Sequence, residues 1–177
     1  EQMGCDVVDL SERADLTAEL AGAMVIDRAR NIGYCGLSEG CDRAGAEALH
    51  EAFGLALTFA FELEPAGYSG SVALAVLGGR ALVIHPGSFH DADAALAIAE
   101  LYDPRLLVLD DDEKAAAAGA CIALSETDLW LSAAALQGLR PASRAALESW
   151  GFELRSVALP EIEAAGGSLR CCVAEIY

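Results

Sequence analysis

The sequence predicts an α/β fold of repeated ββαβ modules, each a short mixed sheet with its helix on one side. Three observations predict it. Short apolar runs come in pairs joined by tight turns, as in Val72 to Leu77 and Ala81 to Ile84 across Gly78-Gly79. A helical stretch and a further apolar run follow each pair. The same order recurs at intervals of roughly 50 residues, which marks a repeat architecture.

The chain opens on Glu1, and Val7-Val8-Asp9-Leu10 reads as a short strand with nothing before it, so it looks like a chain that has lost its beginning. An acidic, polar connection follows from Ser11 to Leu16. Ala23 to Asp27 reads as a strand, Arg28-Ala29-Arg30-Asn31 turns it, and Ile32 to Leu37 returns. Ser38 or Asp42 can cap the next helix, which carries Ala46, Leu49 and Phe53 on its apolar side. Gly54 ends that helix, and Leu55 to Leu63 alternates into a strand.

The second unit runs from the Gly78-Gly79 hairpin to a helix capped by Asp91, with Ala94, Ile98 and Leu101, and then the strand Leu106 to Leu109. A short acidic helical piece around Asp111 to Ala118 precedes the third unit. There Cys121 to Leu124 and Leu129 to Ser132 form a hairpin across Glu126-Thr127-Asp128. Pro141 begins a helix with Leu147 and Trp150 on one side. Gly151 stops it, and Phe152 to Leu159 is a strand. A last helical turn, Glu161 to Ala165, leads to Gly166-Gly167-Ser168-Leu169-Arg170-Cys171-Cys172, which reads as a tight turn entering a final short strand.

Composition bounds the partners. The 177 residues suit a single domain, 1–177, with a sizeable core, and 54% hydrophobic residues make it globular. A formal net charge of -17 opposes binding to nucleic acid and to anionic membrane surface. It is compatible with a cationic ligand. No apolar run approaches the length of a membrane span and no signal peptide opens the chain. Six cysteines in an apolar chain of this length do not read as a disulfide framework. Cys35 and Cys41 are spaced too widely for common zinc pairs, and adjacent Cys171 and Cys172 would face opposite sides of a strand. A reducing cytoplasm is the simpler inference, and no metal or cofactor is expected.

The C-terminal string is where chemistry would sit. Glycines before a strand let the backbone approach a ligand closely, because no Cβ intervenes. Read from the residues alone, Cys171 is either a small apolar residue at the start of a buried strand or a nucleophile held at such an approach.

The string Gly166-Gly167-Ser168-Leu169-Arg170-Cys171 resembles the C-terminal active-site segment of the guanidino-group-modifying superfamily. That superfamily includes arginine deiminases, dimethylarginine dimethylaminohydrolases and amidinotransferases. The similarity is nearest to the citrulline-utilisation hydrolases and extends over the whole chain. It implies a five-module α/β propeller, of which about three modules are here and the N-terminal modules are absent. An incomplete ring leaves sheet edges open, which points to a fragment or to pairing with another chain as a homo-oligomer; a fragment is the favoured reading.

The resemblance also implies a constellation. Cys171 stands at the nucleophile position, with Arg170 beside it as a positive charge that favours the thiolate. Glu19, in Ala18-Glu19-Leu20-Ala21-Gly22-Ala23, stands where relatives carry a glutamate that grips the guanidinium. Without the resemblance, Glu19 reads as a solvated loop residue. The histidine that would protonate the leaving amine is missing. Relatives carry Tyr-His-x-Asn or His-x-Asp where this chain has Tyr68-Ser69-Gly70-Ser71, and serine cannot do acid–base work near neutrality. His50, His85 and His90 do not match the motif and read as structural or surface residues. Relatives read Leu-Ser-x-Arg-Thr where this chain has Leu37-Ser38-Glu39-Gly40-Cys41, and Gly-Asn where it has Gly119-Ala120.

Three functions stay open at this point. One is a hydrolase of C–N bonds in a small guanidino or ureido compound such as citrulline, arginine or a methylarginine, with Cys171 and Glu19 catalytic. A second is a non-catalytic propeller that binds such a compound or a protein partner. A third is a truncated product with no activity of its own.

Overall fold

The computed structural model describes residues 7–64 and 73–175. They form three separate three-stranded sheets, β1-β2-β3, β4-β5-β6 and β7-β8-β9. The strands are Met24–Asp27, Ile32–Leu37 and Leu57–Glu62 in the first, Leu74–Leu77, Ala81–Ile84 and Leu106–Val108 in the second, and Ile122–Ala123, Asp128–Ser132 and Glu153–Val157 in the third. In each sheet the first two strands pair antiparallel and the third joins parallel to the second. A parallel return needs a crossover, and a helix supplies it each time. The repeated ββαβ module is therefore present three times, and none of the sheets closes on itself.

Helices bounded on both sides within the described residues are α1 (Leu20–Ala23), α2 (Arg43–Ala52), α3 (Ala92–Glu100), α4 (Asp111–Ala115), α5 (Ala133–Gly138), α6 (Pro141–Ser149) and α7 (Pro160–Ala164). Their ends follow from local chemistry. Asp42 Oδ1 accepts from the Gly45 N–H at 2.7 Å and Asp91 Oδ1 from the Asp93 N–H at 2.9 Å, the N-caps of α2 and α3. Asp110 and Glu113 form a reciprocal capping box on α4. Pro141 opens α6, where its missing N–H is no loss.

Alternation along the strands explains the layering. In the second sheet Leu74, Leu82 and Ile84 share a core with Val25, Tyr34 and Phe61 of the first sheet and with Ala95 and Ile98 of α3. The intervening residues Ala75, Leu77, Ala81 and Val83 face the other way, onto Leu129 and Leu131 of β8 and Leu147 of α6. A strand buried on both faces reads as a continuous apolar run, which is how β4 and β5 read in sequence. The first strands of successive modules, β1, β4 and β7, pack side by side. Burial falls outward: every residue of β1 is buried, and in β9 none is.

An arginine in each of the first two hairpin turns reaches forward to the next module. Arg30 donates from Nη1 to Gly79 O at 2.6 Å and from Nη2 to Leu101 O at 3.2 Å, and lies 4.5 Å over the Tyr102 ring. Arg80 donates from Nη1 to Trp150 O at 2.6 Å and from Nη2 to Glu126 O, and lies 4.1 Å over the Phe152 ring. Each arginine thus takes a carbonyl of the next hairpin turn, the carbonyl just past the next helix, and the aromatic ring beyond it. Gly79 makes the first of these junctions feasible. Its φ is +65°, and a Cβ there would fall 2.4 Å from the Ala29 Cβ.

Two sequence expectations fail. Val7 to Leu10 is not a strand. The Gly-Gly-Cys segment is not a strand either: Leu169–Cys172 is a 3-10 turn, closed by Cys171 N–H to Ser168 O at 3.1 Å, and residues 173–175 have no regular structure. A strand needs a ladder partner, and among the described residues neither segment has one. The acidic piece expected over Asp111 to Ala118 divides into α4 and a 3-10 turn, Ala118–Ala120.

Candidate functional site

The C-terminal 3-10 turn packs on α1, on the Ala118–Ala120 turn and on β8. Three segments singled out in the sequence thereby meet: the one entered from Glu19, the one ending at Ala120 and the one bearing Cys171. Ala120 is buried at the junction.

Glu19 is held by its backbone. Its N–H donates to Gly40 O at 2.7 Å, and Asp42 N–H donates to Thr17 O at 3.1 Å. The Thr17 carbonyl sits where a Cβ on Gly45 would be, 1.9 Å from the ideal position, so glycine is required for that approach. The Glu19 side chain is exposed and leans over Gly40: its Oε2 lies 2.9 Å from where a Cβ at position 40 would stand. The place expected to hold an arginine is thus partly taken by the Glu19 carboxylate.

Cys171 and Cys172 are exposed free thiols, not residues on opposite faces of a strand, and Cys172 Sγ lies 3.4 Å from Ser168 O. Arg170 does not stand over Cys171 as an isolated charge. Its Nη2 donates to Glu175 Oε2 at 2.5 Å, and its side chain is only 11% exposed. Arg170 and Glu175 contribute the polar part of a cavity of about 260 Å³ whose apolar wall includes Leu20, Met24, Ile26 and Val173. Neither Cys171 nor Glu19 lines it. Arg170 also acts inward: burial pushes the Cys121 thiol up to about 12, and the positive charge of Arg170 opposes that rise.

The histidines hold structure. His85 is buried, with Nδ1 2.8 Å from Ser88 Oγ and Nε2 3.1 Å from Asp111 Oδ1, so it ties the end of β5 to the start of α4. His50 Nδ1 lies 3.0 Å from Thr58 Oγ1, and His90 lies beside Glu64 at 3.3 Å. Tyr68, Ser69, Gly70 and Ser71 lie outside the described residues. Cys35 and Cys41, distant in sequence spacing, are fully buried with their sulfurs 3.7 Å apart. Among the described residues no group of His, Cys, Asp and Glu could hold a metal ion, and no helix is long and apolar enough to cross a membrane.

Sequence reasoning missed Glu175 and the pairing of Arg170 with it. The available signal was spacing: an arginine and a glutamate five residues apart flank an apolar run, so a turn rather than a strand between them lets the two side chains meet.

A family model described as N,N dimethylarginine dimethylhydrolase, eukaryotic, matches residues 2–177. The substrate-bound N-terminal domain of ArgZ, an arginine dihydrolase from the ornithine-ammonia cycle in Cyanobacteria, is similar with a TM-score of 0.77 and 18% identity, over 89% of this chain and 56% of that one. AgrE in a ternary complex with ornithine and NAD+ gives a TM-score of 0.75 at 19% identity, over 89% of this chain and 22% of that one. A dimethylarginine dimethylaminohydrolase variant in adduct with S-methyl-L-thiocitrulline gives 0.62 at 20% identity, over 85% of this chain and 53% of that one. At these identities the structures speak to the fold, and the chain spans little more than half the length of the ArgZ domain. No protein of curated function matches the chain. The family model matches nearly every residue, so the chain belongs to the N,N dimethylarginine dimethylhydrolase family, within the guanidino-group-modifying superfamily.

Proposed function

We propose that the chain binds a small guanidino or ureido compound beside its C-terminal turn and does not hydrolyse it unaided. The convergence of the Glu19, Ala120 and Cys171 segments on one place carries this reading. The adjoining cavity, apolar with one ion pair, suits a ligand with an aliphatic stem and a charged head. A net charge of -17 favours a cationic head. Turnover requires a group that protonates the departing amine, and Ser69 stands where the superfamily places histidine.

The reading takes the three modules as part of a five-module propeller. In support, β1, β4 and β7 pack side by side as inner strands, and the chain covers 56% of the ArgZ domain, close to three parts in five. A cytoplasmic setting goes with it, supported by six cysteines that do not read as a disulfide framework.

A second reading, hydrolysis, is favoured by the exposure of the Cys171 thiol. Its Sγ would attack the central carbon, the C–N bond would break with the amine leaving as a protonated group, and water would then cleave the C–S bond, freeing the thiol and giving a ureido product from a guanidino substrate or a carbamate from a ureido one. Labelling with chloroacetamidine, mapped by peptide mass spectrometry, tests whether a bound head group is presented to that thiol. Its amidinium seeks a carboxylate while the thiolate displaces chloride. Selective modification of Cys171 over Cys172 would favour hydrolysis, and uniform labelling would end that reading, whereas absence of any calorimetric binding of a small guanidinium compound would end both. A turnover assay on citrulline, arginine and methylarginine separates them: wild type is expected to be inactive and Ser69→His to gain activity, whereas turnover by wild type that Cys171→Ser abolishes would establish the hydrolase.

A further inference from the structure

The cavity beside the C-terminal turn is bordered by an arginine of the chain's own. Arg170 Nη2 is 2.5 Å from Glu175 Oε2, and the two side chains are 11% and 32% exposed. An arginine so enclosed is held by its carboxylate and by the apolar wall along its stem. The arrangement has the parts of a guanidinium site: a carboxylate acceptor and, in Leu20, Met24, Ile26 and Val173, an aliphatic wall for a ligand stem.

We propose that Arg170 is a tethered occupant of this site: it holds Glu175 in the way a free guanidino compound would, and such a compound binds by displacing it. The proposal rests on the guanidino-binding reading above and adds a regulation to it. A group fixed five residues from its partner competes at an effective concentration in the millimolar range or higher. A free ligand therefore meets a site whose competent state is only fractionally populated, and its apparent affinity falls by that fraction. Glu175, rather than Glu19, is the carboxylate that meets the ligand head. No bond is made or broken; one ion pair is exchanged for another.

Isothermal titration with N-ethylguanidinium, which carries only the head and a short stem, tests this. Arg170→Gln removes the resident charge and is expected to tighten binding by about tenfold or more. Arg170→Lys keeps a cation in place and is expected to bind about as weakly as wild type. Glu175→Gln is expected to abolish binding in either background. Unchanged or weaker binding by Arg170→Gln would overturn self-occupancy while leaving guanidino binding intact. Absence of binding by every variant, each shown folded by a cooperative melt, would overturn both. A second measurement needs no substitution: in wild type, ligand titration should shift the Arg170 Nε–H resonance in an NMR spectrum and speed its solvent exchange. An Arg170 resonance that stays fixed while ligand binds would also sink the proposal.

Discussion

The junction between the first and second modules and the junction between the second and third use the same reach and different chemistry. Arg30 and Arg80 each take a turn carbonyl, a helix-end carbonyl and an aromatic face. At the first junction a fully buried carboxylate joins in. Asp27 accepts from Arg30 Nη1 at 2.8 Å, from the Ala29 N–H at 2.9 Å and from Tyr102 O–H at 2.6 Å, and Tyr34 O–H in turn donates to Tyr102 at 3.0 Å. Burial, with the bond to Asp27, pushes the Tyr102 hydroxyl well above its ordinary value, so it stays a donor. At the second junction Arg80 has carbonyls and the Phe152 ring for partners. That module keeps its buried carboxylate elsewhere, in Glu113, which accepts from the Arg140 N–H at 3.0 Å and pairs with Arg140 Nη2 at 2.7 Å. The difference teaches that forward reach is what the modules share, and that the acid is an addition that makes one junction interdependent.

The largest effect is expected at the acid. Asp27→Ala strands the Tyr102 hydroxyl and removes the counterion of Arg30, which should cost about 3–5 kcal/mol in urea unfolding. Arg30→Ala leaves Asp27 buried and short of its cation, at about 2–4 kcal/mol. Arg80→Ala leaves only neutral carbonyls behind, and about 1–2 kcal/mol is expected. Equal costs for the two arginines would break the comparison. Tyr34→Phe, which removes the outermost hydroxyl of the first junction, should cost about 0.5–1.5 kcal/mol.

Glu113 gives the comparison a pH axis. Burial pushes its carboxyl up, but the bonds from Arg140 and from the Asp110 N–H together hold it below its ordinary 4.5. A carboxylate depressed in the folded state adds stability that is present above the unfolded value and lost as pH falls through the folded one. The stability of wild type should therefore fall more steeply below about pH 4.5 than that of Glu113→Gln, read as melting midpoints from pH 7 to 3. Parallel curves would show that the pair contributes nothing in acid.

The modules were legible because their signals are local. Asp42, Asp91 and Pro141 mark helix starts, Gly78 and Gly79 mark a hairpin with φ of +56° and +65°, and both-face burial makes β4 and β5 read as apolar runs. The forward arginines were not, since their contacts lie 46 to 71 residues away. A trace of them exists: aligning the units puts an arginine in two turns and an aromatic, Phe53, Tyr102 or Phe152, after each helix. At the site, Cys-Cys-Val-Ala is a short apolar run that suggests a strand, but propensity yields where there is no ladder to join. Glu19 enters the segment on which the C-terminal turn packs. Its lean over Gly40 follows from a missing side chain twenty-one residues on, which no window around Glu19 contains.

The forward reach has a direction. The second module both receives, through Gly79, Leu101 and Tyr102, and gives, through Arg80; the third receives through Glu126, Trp150 and Phe152, and its turn carries no arginine to give. The second module is therefore a reusable brick. A gene duplication that inserted another copy of it after itself would bring an arginine and its carbonyl and ring partners to the new joint, but the second copy's Tyr102 hydroxyl would meet Leu77 where Asp27 now accepts it, so the joint would need an acid there. The joints between modules are therefore not interchangeable: the reach is generic, and the acid that completes the first one is particular to it.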